Sequence, residues 1–393
     1  MFTNRCRFAA IILLALLVSL CLPLAVMAAG NGYAKKIVIF DTNIVNEPAR
    51  QAIIHGAGGV IVKPLPLVDG VAVLLPEPAV AALTAHAGVI RVDDDIEIYA
   101  TGKPSQPSQP PQPPQSLPWG IARVNAPTAW DISVGMGVKV AVLDTGIQLN
   151  HPDLAANIAG GYNATNPVRS PSDGNGHGTH VAGTIAAANN SIGVVGVAPQ
   201  ARLYAVKALG NSGLGTLSDV IEGLTWCIDN GIQVVNMSLG ASTDNETFHN
   251  AIIKVYEAGI TQVVAAGNNG GGYGSGTGAV DYPGAYPEVI AVSAIDSSNR
   301  FAVFSSAGPA VDLAAPGVNV LSTYIKSGYA TMSGTSMATP HVTGVVALRL
   351  ASHPGESPDQ VKAVLQSTAV DLGLSTDQQG AGLVNAYAAV TAP

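Results

Sequence analysis

The chain has 393 residues, of which 11% are charged and 48% hydrophobic, with 44 Gly and a formal net charge of −8. That length allows a large domain and a smaller one with a sizeable core, and so few charges exclude a disordered chain. The acidic balance, with no basic patch, excludes nucleic acid and anionic lipid as partners.

Arg5 and Arg7 precede an apolar run from Phe8 to Val26, which ends in Ala28, Ala29 and Gly30. A basic start, an apolar middle and a small-residue end predict a secretory signal peptide over 1–29. The run is also long enough for a retained membrane anchor. With the signal peptide removed, the protein is expected outside the cell with no stable membrane partner. Leu20 stands where a lipidation signal before Cys21 needs a small residue, so no lipid is expected there. Beyond this segment Cys227 is the one remaining cysteine. An exported chain with a single thiol has no internal disulfide, and on an apolar helical face Cys227 reads as a buried small side chain.

Residues 34–100 alternate between strand and helix patterns. KKIVIF is a strand, NEPARQAIIHGAG a helix, GVIVKPLPL and GVAVLLP two strands, EPAVAALTAHAG a second helix and VIRVDDDIEIY a last strand. This β-α-β-β-α-β order predicts a small α+β, ferredoxin-like unit. Residues 101–114 (TGKPSQPSQPPQPP) are too rich in Pro, Ser and Gln to pack and read as an extended linker. A small unit, an accessible linker and a large domain over 115–393 suit a pro-segment that is cut away.

In the large domain, strands are expected at 138–144, 202–209, 232–239, 260–267 and 288–295, with helices such as 217–229 and 246–258 between them. Continuous apolar strands separated by helices predict an α/β domain whose central, mostly parallel sheet is covered on both faces, a three-layer α/β/α fold. Functional residues in such sheets gather beyond the carboxyl ends of the strands.

Three motifs carry chemistry: Asp144 ends VKVAVLD, His177 lies in DGNGHGTHVAGT, and Ser336 lies in GTSMATPHV at the start of an apolar helix. Taken singly, Asp144 caps a turn, Ser336 caps a helix, and His177 with His180 starts a helix or ligates a metal. Together they supply what acyl transfer needs: a hydroxyl nucleophile, a base for its proton and a carboxylate to orient the base. Asp144-Thr145-Gly146 is also the aspartic-protease signature, but that chemistry needs two carboxylates sharing a proton. The other Asp-Thr pair, at residues 41–42, is followed by Asn.

The motifs VVNMSLG (234–240), VAAGNNG (264–270), DYPGAYPEVIAVSA (281–294) and FSSAGPAVDLAAPG (304–317) accompany the three in order. With them, 115–393 resembles the subtilisin family (subtilases, peptidase S8) of serine proteases, and 34–100 resembles the family's inhibitory, folding-assisting propeptide. The resemblance implies a secreted serine endopeptidase made as a self-processed zymogen. Ser336 would be the nucleophile, His177 the base and then acid, Asp144 the orienting carboxylate, and Asn268 an oxyanion donor beside the Ser336 amide. Ser336 is expected to open the helix with its hydroxyl exposed, after a tight turn at Gly334. Pro340, near the helix start, is expected to forfeit little hydrogen bonding.

The resemblance further implies peptide substrates bound as extended strands along 212–215 and 238–240, with Gly213, Gly215, Leu217, Ser238, Leu239 and Gly240 at the cleft. Asp281 would lie near the floor of the pocket for the side chain before the scissile bond and favour Lys or Arg there. Its alternative reading is a solvated loop carboxylate. AANNSIGVVG (187–196) resembles the family's Ca²⁺ loop, and implies Gln115, Asp153, Asn190 and the carbonyls of Ala188, Ile192 and Val194 as ligands of a structural Ca²⁺. A monomer is expected. The non-enzymatic alternative is a binding protein on the same fold.

Overall fold

The computed structural model describes residues 32–104, 112–270 and 278–393. The expected signal peptide and residues 105–111 of the linker lie outside the described residues. The chain divides into two units, the first ending at Asp95 and the second beginning at Ile96.

Alternating apolar side chains build the first unit. Strands β1 (Tyr33–Phe40), β2 (Val60–Leu65), β3 (Gly70–Pro76) and β4 (Val89–Asp94) form an antiparallel sheet of order β2-β3-β1-β4. Helix α1 (Glu47–Gly56) follows β1 and α2 (Ala79–Thr84) follows β3. Asn46 caps α1 by accepting the Ala49 amide, and Val38, Phe40, Ile54, Val73, Leu75 and Leu83 fill the core. The run 89–99, expected as one strand, is two: β4 ends at Asp94, and β5 (Glu97–Ala100) belongs to a different sheet in the second unit. Carboxylates at 93–95 mark the break, where no apolar side chain holds the strand to a core.

The second unit is built on a seven-stranded sheet of parallel pairs. Its members are β6 (Lys139–Asp144), β7 (Ile158–Asn163), β8 (Arg202–Lys207), β10 (Val234–Met237), β12 (Thr261–Ala265), β13 (Ile290–Ile295) and β14 (Leu313–Pro316), in the order β14-β13-β12-β10-β6-β8-β7. Strand β6 shows why the sheet is central: Val140, Ala141, Val142 and Leu143 are all 0% exposed, so both of its faces are covered. Helices α3 (His177–Ala186) and α6 (Thr335–Ser352) pack on each other and on the sheet, as do α4 (Leu217–Asp229) and α5 (Glu246–Glu257). Thr216 and Asn245 cap α4 and α5 through their side chains, and a capping box of Ser357 and Gln360 opens α7 (Pro358–Ser367). The edge strand β7 was not among the expected strands because Gly160 and Gly161 break its apolar pattern.

Two short strands, β9 (Leu214–Thr216) and β11 (Leu239–Gly240), flank β5 in a three-stranded antiparallel sheet. A hairpin of β15 (Val320–Tyr324) and β16 (Gly328–Ser333) leads into α6. Three imidazoles sit in this core. His151 Nε2 meets the Gly328 carbonyl, His180 Nε2 meets those of Val320 and Ala330, and His341 Nδ1 meets that of Met337. His180 is therefore a core histidine rather than a metal ligand. Burial holds its pKa at about 3 and that of His341 at about 4. Cys227 is buried and burial raises its thiol pKa, which keeps it an inert apolar filler.

Candidate active site

The carboxyl end of β6 delivers Asp144, and the loop before α3 delivers His177 against it. His177 Nδ1 lies 2.8 Å and 2.9 Å from the two Asp144 oxygens, and the residues are 2% and 0% exposed. Asp173 organises the approach to His177: it accepts from the Thr145 hydroxyl, the amides of Asn175, Gly176 and Thr179, and the Thr179 hydroxyl. Lys207 ties down the other side through the Thr145 carbonyl at 2.5 Å. Burial alone would lower the His177 pKa, but the charge and hydrogen bond of Asp144, with Asp173 behind, outweigh it and raise the pKa above its usual value.

Ser336 is the second residue of α6, and its hydroxyl donates to the Ser238 carbonyl at 3.0 Å. It is 0% exposed, contrary to expectation, because the chain's own β5 and the residues after it cover it. Thr101 Oγ1 lies 2.5 Å from Ser336 Oγ, and His177 Nε2 has no hydrogen-bond partner. Gly334 precedes the helix for a reason other than a tight turn: a Cβ there would sit 2.5 Å from the Thr101 carbonyl oxygen and 3.0 Å from Gly102 Cα. Pro340 also differs from expectation. It is the sixth residue of α6, past the amides that a helix leaves free, so the Ser336 carbonyl loses its intrahelical donor. The Ser238 hydroxyl replaces that donor at 2.9 Å, itself held by Asn236 and, through Asn236, by Thr343.

Asn268 completes the group. Its Oδ1 accepts from the amide and hydroxyl of Thr335, which turns Nδ2 outward to donate to the Thr101 carbonyl. Backbone pairing sets this register. Ile98 lies opposite Gly215, Tyr99 opposite Gly240 and Ala100 opposite Leu239, while the Ala100 amide donates to Gly213 and the Thr101 amide to Ser238. Leu217, fully buried, joins the strand through its amide to Ile96. Gly102 follows against the imidazole: a Cβ on it would lie 3.1 Å from His177 Nε2. The arrangement presents the Thr101–Gly102 peptide to a hydroxyl, an imidazole and an amide donor at once.

With this geometry in place, the comparisons with known proteins decide the family. The subtilase family matches residues 135–388. Subtilisin Savinase of Lederbergia lenta is 52% identical over 275 residues, 70% of this chain and 98% of its own length. The chain is a subtilase. An alkaline protease of Shouchella clausii is 48% identical over 317 residues, covering 80% of this chain and 77% of the relative. Subtilisin E of Bacillus subtilis is 42% identical over 375 residues, 93% of each chain. The subtilase is a subtilisin-like serine endopeptidase, and peptides are its substrates.

Two further predicted sites of the subtilase lie around Asp281 and Asp153. Asp281 is 3% exposed, so it is not a solvated loop carboxylate; it accepts from Asn269 Nδ2 at 2.6 Å and from the Tyr99 hydroxyl at 3.1 Å. Against the 187–196 loop lies Asp153, fully buried, whose two oxygens accept from Asn190 Nδ2 and the Val194 amide. Gln115 reaches the same loop: Oε1 accepts the Asn190 amide and Nε2 donates to Asn189. Burial pushes the Asp153 carboxyl up, and among the described residues no cationic side chain pairs with it. Among the described residues no group of three or more His, Cys, Asp or Glu is placed to hold a metal ion. The donors here are one carboxylate with amide and backbone oxygens, a set that suits a hard cation. The sequence reading missed Asp173, Lys207 and Asn236, and it took 97–99 as the tail of the small unit's last strand rather than as a separate strand, Glu97–Ala100. Of these, only Asp173 had a local signal, its place at the head of the Gly-flanked histidine motif.

Proposed function

We propose that Ser336, His177, Asp144 and Asn268 are the catalytic residues, and that the Thr101–Gly102 bond is the one this endopeptidase cuts in its own chain. The Ser336 hydroxyl turns from the Ser238 carbonyl to His177 Nε2 and gives up its proton there as Oγ bonds to the Thr101 carbonyl carbon. Asn268 Nδ2 and the Ser336 amide, in the first turn of α6, hold the charge that develops on the carbonyl oxygen. His177 returns the proton to the Gly102 nitrogen as the C–N bond breaks, and a water then hydrolyses the acyl-enzyme. Asp144 fixes the imidazole tautomer and balances its transient charge. The observation that carries this reading is the Asn268 hydrogen bond to the Thr101 carbonyl, with Ser336 Oγ and His177 on either side of the same peptide.

On this reading residues 34–100 are an inhibitory propeptide whose last strand occupies the substrate cleft between β9 and β11, and 115–393 is the catalytic domain. The protein is secreted after removal of 1–29 and acts as a monomer. A structural Ca²⁺ is held by Gln115, Asp153, Asn190 and the carbonyls of Ala188, Ile192 and Val194. It stabilises the fold and takes no part in the chemistry. The test is fluorophosphonate labelling of the secreted protein, with N-terminal sequencing of the large fragment. Label on Ser336 and a fragment that starts at Gly102, both lost in Ser336→Ala, are expected. An unlabelled, folded protein sinks the catalytic assignment, and a large fragment with another first residue sinks the cleavage assignment.

A further inference from the structure

An extended strand sends alternate side chains to one face, so Tyr99 and Thr101 point the same way about 7 Å apart. The Thr101 hydroxyl is engaged at Ser336. The phenol of Tyr99 reaches a buried carboxylate, at 3.1 Å from Asp281 Oδ2. The recess is shaped for this contact. A Cβ on Gly267 would fall 2.5 Å from Asp281 Oδ2 and one on Gly240 would fall 3.2 Å from it, so two bare backbone walls leave the carboxylate open. Asn269 holds the other oxygen at 2.6 Å, which aims Oδ2 at the phenol. Burial lifts the Asp281 carboxyl to about 6, and burial with the nearby Asp281 charge lifts the Tyr99 phenol to about 12. In neutral and mildly alkaline solution the pair is an ionised acceptor and a neutral donor.

We infer that Asp281 is a specificity-determining residue that reads a phenolic hydroxyl on the third residue before the cleaved bond. The substrates it selects carry tyrosine at that position and a small residue directly before the bond. This rests on the proposed assignment of the Thr101–Gly102 bond, and it moves the role of Asp281 from the residue that precedes the bond to one two places upstream.

The test uses the mature protein at pH 8 with peptides spanning the 97–104 sequence, in which residue 99 is tyrosine, phenylalanine or O-methyltyrosine. A charge-assisted hydrogen bond at a half-buried site predicts a kcat/KM about tenfold higher for tyrosine than for either analogue. In Asp281→Ala the ratio is expected to fall within about twofold of one. The wild-type comparison needs no variant to fold. Equal rates for the three peptides with the wild-type protein overturn the inference and leave the protease reading intact. So does a preference for lysine directly before the bond that disappears in Asp281→Ala. If none of the peptides is cut, the assignment of the Thr101–Gly102 bond falls and this inference falls with it.

Discussion

Removing the Ser238 hydroxyl tests the link between the nucleophile's helix and the sheet. Ser238, Asn236 and Ser336 are all 0% exposed, so water does not take over the lost bonds. Ser238→Ala leaves two buried groups without a partner, the Ser336 carbonyl and one Asn236 amide hydrogen. At about 1–3 kcal/mol for each orphaned group, the loss should be about 3 kcal/mol. For a unit of this size that corresponds to a melting point lower by about 6 °C. Pro340→Ala supplies a second way to satisfy one of the two groups, because an alanine amide at that position donates back to the Ser336 carbonyl. The double variant should therefore recover about half the loss, beyond what Pro340→Ala does alone through the unfolded chain. Calorimetry in a Ser336→Ala background, which prevents self-digestion, measures all four corners of this cycle. Strict additivity of the two substitutions would refute the argument that the hydroxyl stands in for the missing proline amide.

Three other outcomes are expected. Because His177 must be neutral to take the serine proton and its pKa is raised, kcat/KM should fall tenfold per pH unit on the acid side, with a midpoint above 6.5. Asp144→Asn should move that midpoint down, and a wild-type midpoint below 6.5 contradicts the role given to Asp144. Asn268→Ala should lower kcat by about 100- to 1,000-fold with little change in KM, a magnitude carried over from removal of the equivalent donor in subtilisin. A loss confined to KM would show that Asn268 merely binds the strand. Excess chelator should lower the melting point by about 5 °C if the ion is present at about a hundred times its Kd, with Asp153→Asn insensitive. An unmoved melting point in the wild type removes the Ca²⁺ proposal.

What the sequence made legible follows the range of the interactions. Strand 138–144 and helix 217–229 are set by local pattern, and both are found within a residue of their expected bounds. Asp144, His177 and Ser336 stood out only as a set, because each motif alone has another reading and the three residue types together suit one chemistry. The burial of Ser336 was not legible: it is made by a strand 235 residues away, read as the tail of the small unit's last strand. The reason for Pro340 was hidden in the same way, since its compensating hydroxyl is 98 residues from the carbonyl it serves. Asp281 sits 182 residues from the phenol it meets. Composition carries no trace of such pairs, which exist only after the sheet has brought loop ends together.

The three core imidazoles make the fold a proton sensor at its acid limit. Burial lowers the pKa of His151, His180 and His341, so the folded protein excludes protons that the unfolded chain accepts near pH 6.5. Their contribution is fully present above that pH and drains as the solution is acidified toward the depressed values. Below pH 6 each excluded proton adds about 1.4 kcal/mol per pH unit to the slope, so His180 and His341, held at about 3 and about 4, together add up to about 3 kcal/mol per unit, and His151 acts in the same direction. His177 does not offset this, because with a raised pKa it is already protonated in both states there. Burial also raises the carboxyls of Asp281, Asp153 and Asp312, which release protons on unfolding and offset part of the imidazoles' uptake, and titration calorimetry measures the net directly.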